Sequence, residues 1–224
     1  MNLDLSTFLD FFTRLIVILM VTPIHECAHA WAAFKLGDDT ASIQGRMTLN
    51  PLAHLDPVGT ICLLLAGFGW AKPVPVNARR FDRKISMRGG MALTALAGPA
   101  SNILVAIIGM VAFRVFCCFE VVQVSVADYY LTDAVNTYFI LYYMLQAFIF
   151  INLGLAIFNL IPIPPLDGSK VVAVLLPDRL YVQLMRYERY GMILLLLLSW
   201  LGLTGNLIGN AIMGVYGFLL NLFF

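Results

Sequence analysis

Long apolar runs separated by short polar stretches dominate this chain. Three of them, residues 8–36, 91–115 and 135–161, exceed the roughly 20 residues that a helix needs to cross about 30 Å of hydrocarbon. A further run, residues 58–70, would rise only about 20 Å as a helix and is too short to span alone. The last run, residues 191–224, is interrupted by polar and glycine residues and is compatible with one long helix or two short ones. The pattern predicts an all-α polytopic membrane protein with five or six membrane helices.

The basic residues are concentrated in two of the connections, and short cytoplasmic loops carry the excess of lysine and arginine. One group follows residue 70 and the other follows residue 161; they are Lys72, Arg79, Arg80, Arg83, Lys84 and Arg88, and then Lys170, Arg179, Arg186 and Arg189. The N-terminus and the connection 119–134 carry acids instead and are expected outside. Residues 58–70 then begin and end on the cytoplasmic side, which predicts a re-entrant segment.

Two connecting stretches have the pattern of short membrane-associated β-strands. Polar residues alternate with apolar residues or glycine over residues 42–49, which is the period of a half-buried strand. Residues 72–77 hold Pro73 and Pro75, which disfavour helix and confine a strand to a sheet edge. Because non-helical backbone at membrane depth must be covered by protein or face water, these stretches predict a wet cavity near the cytoplasmic face.

Composition supports a membrane protein and excludes some partners. The chain is 61% apolar and 12% charged, against roughly half and a quarter in soluble domains. A formal net charge of +1 argues against a nucleic-acid surface. The start carries acids where a signal peptide has a basic region, so we expect the first span to be retained. No internal repeat or linker appears, and residues 1–224 are expected to form one domain.

Two histidines and a glutamate interrupt the first apolar run as His25-Glu26-Cys27-Ala28-His29, an HExxH motif. The two imidazoles lie four residues apart on one helical face, which suits one zinc ion, and Glu26 is placed to act as general base on a zinc-bound water. A chance HExxH on a structural helix is the duller interpretation. It is disfavoured here, because ionisable residues in a membrane helix are costly unless they serve a site.

A catalytic zinc site needs a third protein ligand and an open fourth position. Glu120 is expected on the opposite side of the membrane, and Glu188 lies in an ordinary interfacial charge cluster. Asp167 follows a proline-broken segment after the run 135–161 and shares its side and depth with His29. An Asp-Gly pair often starts a helix with the aspartate as N-cap. The neighbouring asparagine and prolines and the topology favour a ligand.

With these residues, the chain resembles the site-2 protease family. The stretches HECAH, LNPLAHLDPVGT, FGWAKPVPVN, AGPASN and FNLIPIPPLDGS occur in the family's order and cover most of the chain. The resemblance implies a three-span catalytic core, one Zn²⁺ per chain held by His25, His29 and Asp167, and Glu26 as catalytic acid and base. It also implies that the substrates are transmembrane helices.

Three further polar residues are candidates for supporting roles. His54, the remaining histidine, is predicted to contact the oxyanion or a zinc ligand, with backbone capping in a loop as the alternative. Asn102, in an apolar span, is predicted to orient substrate or hold the oxyanion, with helix packing as the alternative. Asn159 carries the same ambiguity, with helix-end capping as its alternative.

The sequence therefore predicts an intramembrane zinc metalloprotease that hydrolyses peptide bonds within or near transmembrane segments of its substrates. We expect it in the lipid bilayer of a bacterial inner membrane, with the active site toward the cytoplasm. A membrane metal-ion transporter is the alternative from another class, and it ranks second because the predicted ligands are concentrated on one side. The physiological substrate, a regulatory membrane partner and a homo-oligomer are left open.

Overall fold

Apolar helices make up most of the computed structural model, which describes residues 5–66, 70–132, 135–186, 188–201 and 203–223. The α-helices of these ranges are, in chain order, α1 (Leu5–Lys35), α2 (Thr40–Ile43), α3 (Pro57–Ala66), α4 (Met87–Cys117), α5 (Glu120–Thr132), α6 (Thr137–Asn159), α7 (Asp167–Ala173), α8 (Asp178–Arg186), α9 (Glu188–Trp200) and α10 (Leu203–Phe223). Single 3₁₀ turns, Pro51–Ala53 and Ala78–Arg80, lie in the loops.

Three of the described helices are long and apolar enough to cross a membrane. They are Phe11–Lys35 within α1, Met87–Cys117 and Thr137–Asn159. These helices confirm the three long runs in the sequence. The expected total of five or six membrane helices stays a prediction, since the next apolar stretch among the described residues, Leu207–Phe223, is shorter.

Helix α4 lies at the centre of this bundle and packs against both α1 and α6. Small residues, including Gly98, Ala106 and Gly109, are buried along it, and small side chains let helix backbones approach closely in a membrane. Farther along the bundle, Met110 of α4 and Ile149 of α6 belong to a buried apolar cluster that α10 also joins. The buried small residues of α4 therefore allow α1 and α6 to pack closely against it.

The outer surfaces of these helices are apolar. Met20 on α1, Leu104 and Ile108 on α4 and Leu141 on α6 are all exposed. A soluble monomer rarely exposes contiguous apolar patches larger than a few hundred square ångströms. A ring of exposed apolar side chains around three long helices is typical of a surface that faces lipid.

The predicted strand at residues 42–49 is wrong. Residues 40–43 form the helical turn α2, and the chain reverses at Gly45, whose φ is +65°. The cause lies just upstream: the Asp38 carboxylate accepts hydrogen bonds from both the amide and the hydroxyl of Thr40, which starts a helical turn. The amides of Gln44 and Arg46 then donate to carbonyls within the turn, so they are not offered to a neighbouring strand.

The predicted edge strand at residues 72–77 is also not a strand, although no helix forms before Ala78. One isolated antiparallel bridge, Leu55 to Ala71, is the β-pairing found in the described part of the chain. The segment is instead held by side chains. The amide of Val74 donates to Glu26 and the amide of Asn77 donates to Asp38, so these donors are occupied and no ladder forms.

The remaining connections differ in detail from the expectations. Helix α3 ends at Ala66, and residues 67–69 lie outside the described ranges, so re-entry of this segment stays a prediction. The connection 119–134 contains α5, a helix that the sequence did not predict. The C-terminal run forms α9 and α10, with residue 202 between them outside the described ranges.

Candidate metal centre

The HExxH motif lies in the C-terminal third of α1, where its two histidines occupy successive turns of one face. Both are buried, with 5% and 6% of their surface exposed at His25 and His29. Their Nε2 atoms point at each other across 3.0 Å. A spacing of four residues in a helix brings side chains onto the same face one turn apart. The helix alone therefore places two imidazole nitrogens together.

Asp167 completes the group from the other end of the chain. Its Oδ2 lies 3.3 Å from His25 Nε2 and 3.1 Å from His29 Nε2. It is the first residue of α7, and Leu166 rather than Asp167 is the N-cap, so the capping interpretation does not hold. The start of α7 lies so close to the end of α6 that it needs a glycine, because a Cβ at Gly168 would lie 2.1 Å from the carbonyl oxygen of Leu160.

The surroundings of Asp167 favour its ionised form. Burial raises the pKa of this carboxyl, but the contacts with His25 and His29 and the charge of Lys170 lower it, and the net pKa lies below the ordinary value. The Lys170 amine lies 3.5 Å from Oδ1, leaving Oδ2 to the histidines. A carboxylate rather than a carboxylic acid is the form that binds a metal ion.

The other ring nitrogens of the histidines are held by α4. His29 Nδ1 donates to the carbonyl oxygen of Thr94 at 2.7 Å, and His25 Nδ1 donates to the amide oxygen of Asn102 at 2.5 Å. These acceptors assign the proton to Nδ1 in both rings and leave the Nε2 lone pairs free. Metal-binding histidines typically donate their second nitrogen in this way.

The donor set fits zinc. Two imidazole nitrogens and one carboxylate oxygen are the ligands of one common type of catalytic zinc site. A tetrahedral ion with bonds of about 2.0–2.1 Å keeps its ligand atoms about 3.3 Å apart, and the three pairs here are separated by 3.0, 3.1 and 3.3 Å. Within the described residues, His25, His29 and Asp167 form a group whose ligand atoms lie close enough to hold one metal ion. Three protein ligands leave a fourth position for water or substrate.

Glu26 lies beside this group and is also buried, with 8% of its surface exposed. Its Oε2 accepts a hydrogen bond of 2.9 Å from the amide of Val74. The side chain is thus anchored by one oxygen to the 72–77 segment, and the residue lines the same cavity as His25, His29 and Asp167.

This cavity has a volume of about 810 Å³. Apolar side chains of α1 and α6 form much of its wall, among them Leu19, Ile151, Leu155 and Phe158. The polar side chains of the wall include His25, His29 and Asp167, and the 72–77 segment contributes the apolar residues Pro73, Val74 and Val76. Such a mixture suits a ligand that is largely apolar but is held through a few polar groups.

His54 lines the same cavity and is 1% exposed. Its Nε2 lies 2.8 Å from the carbonyl oxygen of Thr48, and its Nδ1 has no hydrogen-bond partner among the described residues. The hydroxyl of Thr94, which also lines the cavity, is likewise buried without a partner there. Buried polar atoms are nearly always paired, so these two are available to a ligand.

The two candidate asparagines differ in their surroundings. Asn102 is fully buried and contacts His25, and it is not part of the cavity wall. Asn159 does line the cavity, and its amide nitrogen donates to the carbonyl of Leu155 in its own helix at 3.0 Å. The predicted contact of Asn102 or Asn159 with substrate stays a prediction.

Sequence reasoning did not identify three residues of this site. Thr94 holds His29 through its backbone, which no side-chain pattern reveals. Asn152 contacts Asn102 from α6, and its polar amide in the middle of an apolar span was the signal that could have shown it. Gly98 has no side chain that could signal a role, but its backbone lies directly beside both imidazoles.

Comparison with known proteins gives concordant matches. Residues 119–199 match Peptidase family M50. The chain is 42% identical over 185 residues to a Bacillus subtilis protein named "Putative zinc metalloprotease YwhC", a match covering 82% of this chain and 78% of that protein. It is 28% identical over 156 residues to "Putative zinc metalloprotease Rip2" of Mycolicibacterium smegmatis, covering 67% of this chain and 52% of that protein. The Mycobacterium tuberculosis protein of the same name is 25% identical over 180 residues, covering 78% and 61%. No solved structure matches the chain significantly.

Proposed function

We propose that this chain, which belongs to peptidase family M50, the site-2 protease family, cleaves peptide bonds. The proposed bonds lie within or near transmembrane segments of other membrane proteins. As a family member with three membrane-capable helices, it is an integral membrane zinc metalloprotease. The observation that carries the substrate proposal is the position of the metal centre: His25, His29 and Asp167 converge at an apolar cavity between helices that span the membrane.

Glu26 is proposed as the proton carrier. When bound, zinc supplies Lewis-acid polarisation of the scissile carbonyl and lowers the pKa of water to about 7. Glu26 takes a proton from the attacking water as the new C–O bond forms, and it delivers that proton to the amine nitrogen as the C–N bond breaks. The Val74 amide holds Oε2 in place, so Oε1 is the oxygen proposed to carry the proton.

The cavity explains how a membrane helix would be bound. A helix has its amides paired internally, so a scissile carbonyl reaches the metal only after local unwinding, which favours substrates with glycine, asparagine or proline in the span. We propose that the unwound segment lies beside residues 72–77, whose Pro73, Val74 and Val76 face the cavity. The amides of Val74 and Asn77 are already bonded to Glu26 and Asp38, so apolar side-chain contacts with the cavity wall, rather than a β-ladder, would then hold it.

His54 is proposed to act on the substrate. Its Nε2 is committed to the Thr48 carbonyl and not to a metal ligand, which leaves Nδ1 for a polar group in the cavity. In the neutral ring Nδ1 accepts a hydrogen bond, as from a substrate amide, whereas contact with an oxyanion requires the protonated ring. Either contact would position the scissile peptide.

The proposed location is a bacterial inner membrane with the site toward the cytoplasm. Exposed basic residues between α3 and α4, namely Arg79, Arg80, Arg83 and Lys84, support it, because short cytoplasmic loops carry such residues. No observation favours the metal-transporter alternative, since the ligands converge on one site and the relatives are named as metalloproteases.

Replacing Glu26 by glutamine tests the proposal. Glu26→Gln keeps the size and the hydrogen bond to Val74 but removes proton transfer, so cleavage of a membrane-helix substrate in proteoliposomes should be abolished while bound zinc stays at wild-type stoichiometry. Glu120→Gln is the matched control, because Glu120 is exposed at the start of α5, and it should cleave normally. Cleavage at the wild-type rate by Glu26→Gln would refute the assignment.

A further inference from the structure

A chain of buried amides leads from the metal centre to α6. Asn102 Oδ1 lies 2.5 Å from His25 Nδ1, and Asn102 Nδ2 donates to Asn152 Oδ1 at 2.9 Å. Asn152 Nδ2 donates in turn to the carbonyl oxygen of Phe148, one turn back in α6, at 2.8 Å. Both asparagines are 0% exposed. Two spans are thus joined through polar contacts that begin at a metal ligand.

The chain has a fixed direction, and the backbone sets it. A main-chain carbonyl only accepts hydrogen bonds, so the bond to Phe148 points the Asn152 NH₂ group toward its own helix and the amide oxygen toward Asn102. That oxygen requires the Asn102 NH₂ group to face it, which turns the Asn102 oxygen to His25. An amide oxygen at this place accepts only from a protonated Nδ1.

We propose that Asn152 is a positioning residue, which acts through Asn102 to hold His25 in the tautomer whose Nε2 lone pair binds the metal. This inference rests on the proposed zinc-dependent function. If Asn102 were free to flip, its NH₂ group would face His25, the favoured tautomer would place the proton on Nε2, and the ring would present N–H instead of a lone pair to the metal. Asn152 prevents that flip from its place on α6.

The competing explanation is that the two asparagines only join α4 to α6, since polar side chains often bond across membrane helices. The two explanations predict different losses. A purely structural bond affects packing and stability, whereas a bond that sets the His25 tautomer affects zinc affinity. Removing a group that orients a metal-binding histidine weakens metal binding about 10- to 100-fold, and we expect about tenfold for Asn152, which acts one residue further away.

The experiment measures zinc dissociation constants by competition with a chromophoric chelator in Asn152→Leu and Asn152→Ala. The first variant keeps the number and branching of the side-chain heavy atoms, and the second adds no bulk, so the measurement does not depend on one variant folding. Ile149→Ala is the matched control, because Ile149 is 0% exposed and packs in the same α4–α6 interface but lies outside the amide chain. We expect about tenfold weaker zinc binding in both Asn152 variants and a change within about twofold in the control.

A double-mutant cycle with Asn102→Leu tests the route of the effect. If Asn152 acts through Asn102, the double variant binds zinc no more weakly than Asn102→Leu alone. The absorption spectrum of the cobalt-substituted protein, which responds to ligand geometry, should change in the Asn152 variants and not in Ile149→Ala. Zinc affinity in the Asn152 variants equal to that of Ile149→Ala, or additive losses in the cycle, would overturn the proposal.

Neither measurement uses proteolysis. A wild-type protein that binds zinc but cleaves no membrane substrate would refute the proposed function and leave the role of Asn152 decided by the binding data.

Discussion

Replacing Gly98 by alanine would place a methyl group against both histidines of the metal centre. A Cβ at this position in α4 would lie 2.4 Å from His29 Nε2, 2.5 Å from His29 Cε1 and 2.6 Å from His25 Cε1. Real Cβ atoms essentially never approach other heavy atoms closer than 3.0 Å, and ordinary contact begins near 3.4 Å. Either the imidazoles or the α1–α4 packing must therefore move.

The size of the movement that the added methyl group forces decides whether zinc affinity or stability is the more informative measurement. Relief of the closest contact requires a movement of about 1 Å, and an error of about 1 Å in an active site can cost about 100-fold in rate, which corresponds to about 2.7 kcal/mol. Overpacking destabilises a protein by about 1–3 kcal/mol, but alanine gains about 1 kcal/mol over glycine in a helix. These two effects partly cancel in the free energy of unfolding, so zinc affinity is the sharper readout.

The assay compares the zinc dissociation constant and the cleavage rate of Gly98→Ala with those of Gly109→Ala. Gly109 lies on the same helix, and its added Cβ would come 3.1 Å from Phe148 Cδ1, a contact that a few tenths of an ångström relieve. We expect Gly98→Ala to lose about 100-fold in cleavage, with weakened zinc binding, and Gly109→Ala to stay close to wild type. Wild-type zinc affinity and cleavage in Gly98→Ala would refute the placement of this backbone beside the ligands.

Two further substitutions test residues outside the ligand set. Asp38 is 1% exposed and accepts hydrogen bonds from Thr40 and from the amide of Asn77. Asp38→Ala should therefore lower the free energy of unfolding by about 2–4 kcal/mol. A loss below about 0.5 kcal/mol, measured by thermal unfolding, would show that this anchor is unimportant. His54→Ala should reduce kcat/KM about 100-fold with zinc content unchanged, because His54 lines the cavity, its Nε2 bonds to the Thr48 carbonyl, and its Nδ1 has no hydrogen-bond partner among the described residues. Normal turnover, or loss of zinc, would contradict its proposed contact with substrate.

The sequence predicted the parts of this structure that depend on long-range patterns. Three apolar runs became α1, α4 and α6 because a bilayer requires about 20 apolar residues from each spanning helix. The two histidines were predicted to lie together because helical geometry fixes residues four apart. Asp167 was found from its side of the membrane and its proline-rich surroundings, and the structure places it within 3.3 Å of both imidazoles.

The parts that the sequence did not predict depend on local competition between hydrogen-bond partners. The alternation over residues 42–49 has the period of a strand, but the Asp38 carboxylate captures Thr40 and turns the chain into α2. In the segment 72–77, the carboxylates of Glu26 and Asp38 take the backbone donors that a sheet would have used. Glu26 and Val74, and likewise Asp38 and Asn77, lie so far apart in the sequence that their contacts leave no periodic signal.

The supporting contacts of the histidines were hidden for a different reason. Thr94 acts through its carbonyl oxygen, which every residue has, so its identity carries no information about the role. Asn152 resembles any polar residue that joins two membrane helices until its contact with Asn102 is seen. Such residues become visible only when the helices are packed.

X-ray absorption spectroscopy at the zinc edge tests most directly whether His25, His29 and Asp167 bind one zinc ion. The wild-type spectrum should show imidazole scattering from two histidines, with nitrogen and oxygen ligands at about 2.0–2.2 Å and no sulfur. In Asp167→Cys a sulfur ligand should appear at about 2.3 Å. Ser169→Cys, a buried neighbour in α7, should add none. A sulfur ligand in the wild-type protein, or an unchanged spectrum in zinc-loaded Asp167→Cys, would contradict the account.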